Sequence, residues 1–202
     1  ERNEFGTNES FVGKIVNVDE ELSEEKELVQ RAENDMLTGV LNKKTMEKRV
    51  SLMLKNRGDK YVIFYMVDLD NFKNVNDTLG HIYGEQAIVE TAQCLNKVFA
   101  NQDCIGRLGG DEFAVCVSYQ AFDEQGLLEF IGKKAQEICA GNRRTYTDNA
   151  SSVSITSSIG VAYAPDMGDS FTELYTQADC ALYYSKANGK DQYHIYSPKD
   201  DN

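Results

Sequence analysis

Arg107-Leu108-Gly109-Gly110-Asp111-Glu112-Phe113 is the stretch on which the reading of this chain turns. Two glycines stand between two apolar runs, Cys104 to Leu108 before and Phe113 to Val117 after. The pattern predicts a β-hairpin, with glycine supplying positive-φ turn positions that bulkier residues resist. Two carboxylates follow the glycines at once. A tip of bare backbone and adjacent acids suits a phosphate and its metal ion. Taken alone, the four residues read equally as a solvated acidic turn, so a second acidic stretch has to decide.

That stretch lies upstream. Tyr61 to Leu69 is an almost unbroken apolar run, the pattern of a central strand buried on both faces. It ends in Asp68-Leu69-Asp70. Acids at the end of a buried strand are costly unless they bind something, and the carboxyl ends of such strands are a common place for ligands. A strand that simply runs out into solvent is the alternative.

The remaining elements follow from periodicity and caps. In a turn, Gly39 breaks the preceding helix, and Asn42 caps the next one, over Lys44 to Lys55, with Met46, Val50, Met53 and Leu54 on one face. A helix over Glu85 to Phe99 turns Ile88, Ala92, Leu95 and Phe99 inward. Another runs from Phe122 to Cys139, and Asn142 to Asn149 reads as a polar loop. Val153 to Tyr163 alternates as a strand. Asp169 or Ser170 caps a helix bearing Leu174, Ala178, Ala181 and Leu182, and Gln192 to Tyr196 is a last short strand. The order is strand, helix, hairpin, helix, strand, helix, strand. This is an α/β (α+β) sandwich, a mixed central sheet covered by helices.

Several stretches together resemble the GGDEF domains, the diguanylate cyclases of bacterial second-messenger signalling. They are Asp35-Met36-Leu37-Thr38-Gly39-Val40-Leu41-Asn42, then Asp68 through Gly84, Arg107 through Phe113, and Ala178 through Lys190. The resemblance covers roughly Asp35 to Tyr196. Four places depart from the family pattern: Glu85 and Ser185 stand for Asp and Ala, and Lys190 for Arg, keeping the charge but losing the bidentate fork. In the inhibitory Arg-x-x-Asp site, Asp103 is present and Ala100 replaces the arginine.

The resemblance implies a nucleotide cyclase or polymerase-palm fold and a nucleotidyltransferase reaction, two GTP condensing to cyclic di-GMP and two pyrophosphates. It implies Asp68, the Leu69 carbonyl, Asp111 and Glu112 as metal ligands. Two Mg2+ ions per site, or Mn2+, would lie about 3.5–4 Å apart, with the three carboxylates converging on them. Asp111, with Glu112, would aid deprotonation of the 3′-hydroxyl, and Lys73 would neutralise charge on the phosphates. Lys186 and Lys190 would hold the terminal phosphates. Asn76 and Glu85 would read guanine, Phe72 and His81 would border the nucleotide, and Gly109 and Gly110 would leave room for it. One site holds one GTP, so a homodimer is implied. A regulatory domain that only binds GTP or cyclic di-GMP is the second reading, and a looser base selection admitting ATP is the third.

At 202 residues the chain suits one domain with an appendage. Residues 1–18 read as a linker or the remnant of an upstream sensor, Phe11 to Val16 resembling the last strand of a PAS-type sensor. Residues 19–36 read as a coupling helix, with Leu22, Val29 and Met36 spaced by sevens. Glu25 interrupts that stripe, and a plain solvated helix is the alternative. Residues 37–198 are the cyclase domain. A net charge of −12 argues against nucleic acid and anionic lipid as partners. No run reaches the roughly 18 apolar residues of a membrane span, and no signal peptide opens the chain. The reading is a cytoplasmic piece of a longer protein, which a membrane anchor elsewhere would also allow. The five scattered cysteines, with no Cys-x-x-Cys pair, read as reduced core thiols.

Overall fold

In the computed structural model the described residues are 28, 30–99 and 104–201. Residues Glu33–Asn202 form one compact unit, and of Glu1–Ala32 the described residues are helical. The expected strand at Phe11 to Val16 and the heptad positions Leu22 and Val29 lie outside the described residues, as does the segment from Ala100 to Asp103. Met36 lies in a turn, 75% exposed.

A seven-stranded mixed sheet is the frame. Its strands are β1 (Leu41–Asn42), β2 (Tyr61–Asp70), β3 (Cys104–Gly109), β4 (Glu112–Tyr119), β5 (Arg144–Thr147), β6 (Ser152–Ala164) and β7 (Tyr193–Ile195). They lie in the order β1-β3-β4-β2-β6-β5, with β7 beside β6. The β1–β3 and β6–β7 pairs are parallel and the others antiparallel. The helices are α1 (Lys43–Lys55), α2 (Phe72–Leu79), α3 (His81–Val98), α4 (Glu124–Asn142) and α5 (Phe171–Ala187). No described helix is long and apolar enough to cross a membrane.

The apolar run of β2 divides by alternation into two cores. Ile63, Tyr65 and Val67 face one way and meet Ile88, Leu95, Leu127, Ile131 and Ile138 of α3 and α4. Val62, Phe64 and Met66 face the other and meet Met46 and Val50 of α1 and Leu174 and Leu182 of α5. These β2 side chains are fully buried, each worth about 1.5–3 kcal/mol relative to exposure. Both faces being covered explains why the run shows no polar alternation. At Gly160 of β6, α5 lies directly on the strand backbone: a Cβ there would come within 1.9 Å of the Ala178 carbonyl oxygen.

Caps bound the helices as the sequence suggests. Asn42 accepts from the Thr45 amide at 3.0 Å, Asp123 from Gly126 at 2.8 Å, and Ser170 forms a reciprocal capping box with Glu173. Two expectations need correction. Arg144–Thr147 is not loop but an edge strand paired with Ser152–Ile155. It has one buried side chain, Tyr146, and its threonines bond serines across the ladder, so it carries no apolar run to betray it. The helix expected from Glu85 begins at His81, with α2 before it. Gly80, at φ 92°, turns the chain between them.

None of the five cysteines is joined in a disulfide; Cys94, Cys116 and Cys139 are buried, and Cys104 and Cys180 are half-buried. Burial pushes the Cys139 thiol up to about 11.

Candidate active site

The acidic end of β2 lies beside the hairpin tip. In the β2–β4 ladder Asp68 is paired in register with Glu112. Gly110 and Asp111 form the tip between β3 and β4, and the β3–β4 register shifts between Arg107 and Gly109. Gly109 and Gly110 have φ of 152° and 51°, so backbone conformation selects glycine here. Among the described residues, chain neighbours aside, no atom lies within 4 Å of where either Cβ would stand.

Arg107 ties this tip to the opening motif. Its Nε and Nη2 both donate to the Gly110 carbonyl, at 3.0 and 2.7 Å. Its Nη1 donates to both oxygens of Asp35, each at 3.2 Å. Asp35 also accepts from the Thr38 amide and hydroxyl, at 3.0 and 2.7 Å. Burial opposes the charge on Asp35, but the Thr38 bonds and the Arg107 guanidinium outweigh it and hold its carboxyl below the usual range. Asp35 and Arg107 lie 72 positions apart, so the sequence carries no local signal of this link.

Burial works against the charge on both site aspartates. Burial pushes the Asp68 carboxyl up, Lys186 pulls it down, and Asp111 and Asp70 push it up further. Burial also raises Asp111, and Glu112 adds to the rise against Lys186 and Arg107. Lys186, from the last turn of α5, sets its ammonium 2.7 Å from Asp68 Oδ2. The three carboxylates do not form a ready-made cage: no three His, Cys, Asp or Glu side chains among the described residues are grouped to hold a metal by themselves. Magnesium is commonly held by one or two carboxylates together with substrate phosphates and water. The pairing of Asp68 with Asp111, hard oxygen donors already neutralised in part by an ammonium, fits such an ion. Leu69, offered for its carbonyl, is buried and opposite Ser157.

The other expected residues fall into two places. Lys190 donates to Asn71 Oδ1 at 3.2 Å, just past the end of β2. Asn76 lies against the α3 backbone, where a Cβ at Gly84 would stand 2.0 Å from its Oδ1. Glu85 and His81 are both exposed on α3, one turn apart, and at the start of α2 Phe72 is half-buried and Lys73 exposed. Asp70, quoted in the sequence only as part of the acidic strand end, proves to be bound on every side.

The profile of the family described as diguanylate cyclase, GGDEF domain, matches residues 32–192. Among curated relatives, the cyclic di-GMP phosphodiesterase PdeR of Escherichia coli (strain K12) is 29% identical over 98% of this chain and 30% of its own length. The bifunctional diguanylate cyclase/cyclic di-GMP phosphodiesterase MucR of Pseudomonas aeruginosa is 33% identical over 85% of this chain and 24% of its own. The chain thus spans under a third of these relatives. Among solved structures, the GGDEF domain of TpbB (YfiN) from Pseudomonas aeruginosa superposes with a TM-score of 0.75 at 29% identity, over 83% of this chain and 96% of that one. The coiled coil and GGDEF domain of DgcB from Caulobacter crescentus, in complex with c-di-GMP, gives 0.76 at 28% identity, over 88% and 93%. With the acidic strand end, the Gly-Gly tip and every strand of the sheet except β7 lying within the residues matched by one profile, the chain belongs to the GGDEF-domain family.

Proposed function

We propose that this chain is a diguanylate cyclase, condensing two GTP into cyclic di-GMP with release of two pyrophosphates. The observation that carries this reading is the intact pairing of Asp68, opposite Glu112 and beside Asp111, with the ammonium of Lys186 on the same carboxylate.

In each half-reaction a ribose 3′-oxygen forms a bond to the α-phosphorus of the other GTP. The bond from that phosphorus to the bridging oxygen breaks, and pyrophosphate leaves with the electron pair. Asp111 takes the hydroxyl proton toward solvent. Asp68, Asp111, Glu112 and the Leu69 carbonyl would hold divalent ions, Mg2+ or Mn2+, which when bound neutralise the triphosphate and acidify the 3′-hydroxyl. Lys186 and Lys190 bind the terminal phosphates, and Lys73 offsets charge that grows on them. Asn76 and Glu85 accept from the guanine N1–H and N2–H2, with Phe72 and His81 at the rim. Gly109 and Gly110 leave the nucleotide room above the tip. A single such site supplies one GTP, so two copies face each other. An upstream sensor domain and a cytoplasmic location complete the reading.

A second reading is a domain that binds GTP or cyclic di-GMP to regulate a partner. A relative matched over 98% of this chain, named as a cyclic di-GMP phosphodiesterase, favours it. Incubation with GTP and Mg2+, in parallel with Mn2+ and with added ATP, followed by product identification, separates the two. Cyclic di-GMP as product supports the cyclase. Nucleotide binding without any phosphodiester product would overturn it in favour of the regulatory domain.

A further inference from the structure

Asp70 takes no part in the chemistry above, yet it is 3% exposed, more buried than Asp68 at 7%. Its carboxylate is fully used. Oδ1 accepts from the Ser158 hydroxyl at 2.7 Å, and Oδ2 from the Thr156 hydroxyl at 2.7 Å and the Asp191 amide at 3.1 Å. The β2–β6 ladder already pairs Asp70 with Thr156 and Asp68 with Ser158, so holding the two strands together needs no acid. What the carboxylate adds is the bond to Asp191, in the turn between α5 and β7.

That turn is held from several sides. The Lys190 amide donates to the Ser185 carbonyl at 3.0 Å, and the Gln192 side chain donates to Ser185 and Asn188 carbonyls at 3.0 and 2.7 Å. Arg143 Nε donates to both Asp191 oxygens, at 3.1 and 2.8 Å. Lys190 Nζ then reaches Asn71 Oδ1. Residues 190–191 are therefore joined to residues 70–71 twice, once through backbone and once through side chain. The joint is also where the backbone is strained. Among the described residues the non-glycine positive-φ positions are Asn71 (63°), Lys190 (63°) and Asp191 (50°), and all three lie here. Such conformations persist only where surroundings over-determine them, and they gather at functional sites.

We propose that Asp70 is a positioning residue for the phosphate side of the site: by accepting from the Asp191 amide it pins the α5–β7 turn to the end of β2 and so fixes Lys190 relative to Asp68. The proposal rests on the reading in which Lys190 meets the terminal phosphates. Asp68 and Asp70 are two apart on one strand and so share a face. One carboxylate serves the reaction while its neighbour sets the distance to a cation that binds the same substrate.

The test measures binding rather than turnover. 3′-Deoxy-GTP and 3′-deoxy-GMP lack the attacking hydroxyl, and calorimetry with Mg2+ gives their affinity ratio for each variant. Lys190→Ala should narrow the triphosphate-to-monophosphate ratio about tenfold, the scale of one charge-assisted contact. Asp70→Ala should narrow it equally, leave the monophosphate affinity unchanged, and add nothing to Lys190→Ala in the double variant. Asp70→Asn keeps an oxygen for the Asp191 amide and should retain most of the ratio. Asp70→Ser, too short to reach Asp191 but still polar toward Thr156 and Ser158, should narrow the ratio as the alanine variant does, and it carries the test if the alanine variant does not fold. An effect of Lys190→Ala with a wild-type ratio in Asp70→Ala and Asp70→Ser would overturn the positioning role alone. A ratio unmoved by Lys190→Ala would overturn both that role and the phosphate assignment beneath it.

Discussion

Arg107 offers the sharpest test of how the site is built. The ion pair with Asp35 is largely shielded, with side chains 15% and 24% exposed, and the same guanidinium holds the Gly110 carbonyl. Hydrogen bonds to charged groups contribute about 1.5–3 kcal/mol each in net terms. Arg107→Ala strands neither partner completely, because Asp35 keeps Thr38 and the exposed Gly110 carbonyl meets water. The loss should therefore be about 2 kcal/mol rather than the roughly 3–5 kcal/mol of an orphaned buried charge. For a chain of this size that lowers Tm by about 4–8 °C. Arg107→Lys, without the fork, should fall between. A urea-unfolding double-mutant cycle with Asp35→Asn should give a coupling of about 1–2 kcal/mol. The sign with pH follows from the lowered Asp35 carboxyl. Its stabilisation is fully present above the unfolded value near about 3.9 and is lost as pH falls through the lower folded value. The gap between wild type and Arg107→Ala should therefore shrink in acid. Additive single variants, or a gap unchanged down to about pH 2, would refute the strut.

Asp111→Asn should cut product formation on the order of 10²–10³-fold with Tm equal or higher, since one of several mutually repelling acids is gone; near-normal turnover would remove Asp111 from the chemistry. Gly84→Ala places a Cβ 2.0 Å from Asn76 Oδ1 and should erode the preference for GTP over ATP, which unpaired guanine acceptors set at about 1–3 kcal/mol; an unchanged preference in a natively melting variant would show that Asn76 does not read the base. Specific activity should fall on dilution, and a value constant well into the monomer range would exclude reaction across two copies. With Ala100 in place of an arginine, added cyclic di-GMP should not inhibit tightly; inhibition that GTP cannot relieve and Asp103→Ala abolishes would show that the product site works without it.

What the sequence made legible was whatever has a period or a fixed spacing. The β2 run, the Gly-Gly tip and the Asn42 cap each act through neighbours in the chain, so their residue types announce them. Edge strand β5 has one inward side chain, Tyr146, and no run to count. The start of α3 at His81 was hidden because its first turn carries little apolar patterning. The Asp35–Arg107 and Asp70–Asp191 contacts join residues 72 and 121 positions apart. Both are polar contacts that only the closed sheet brings about. Among the site residues, the pairing of Lys186 with Asp68 likewise joins groups far apart in the chain and has no signature in either motif.

That pairing has a thermodynamic consequence. If the chain is the proposed cyclase, a divalent ion on Asp68 would compete with the ammonium 2.7 Å from its Oδ2. A displaced ammonium would need a new anion, which a triphosphate would provide. Ion and nucleotide binding would thereby be linked through one side chain, and linkage is reciprocal: whatever factor GTP adds to ion affinity, the ion adds to GTP affinity. Lys186→Met would break the exchange, raising ion affinity without nucleotide while weakening the coupling between the two. Asp68 carries its own counter-ion in Lys186, one that the proposed reaction would trade for the substrate's.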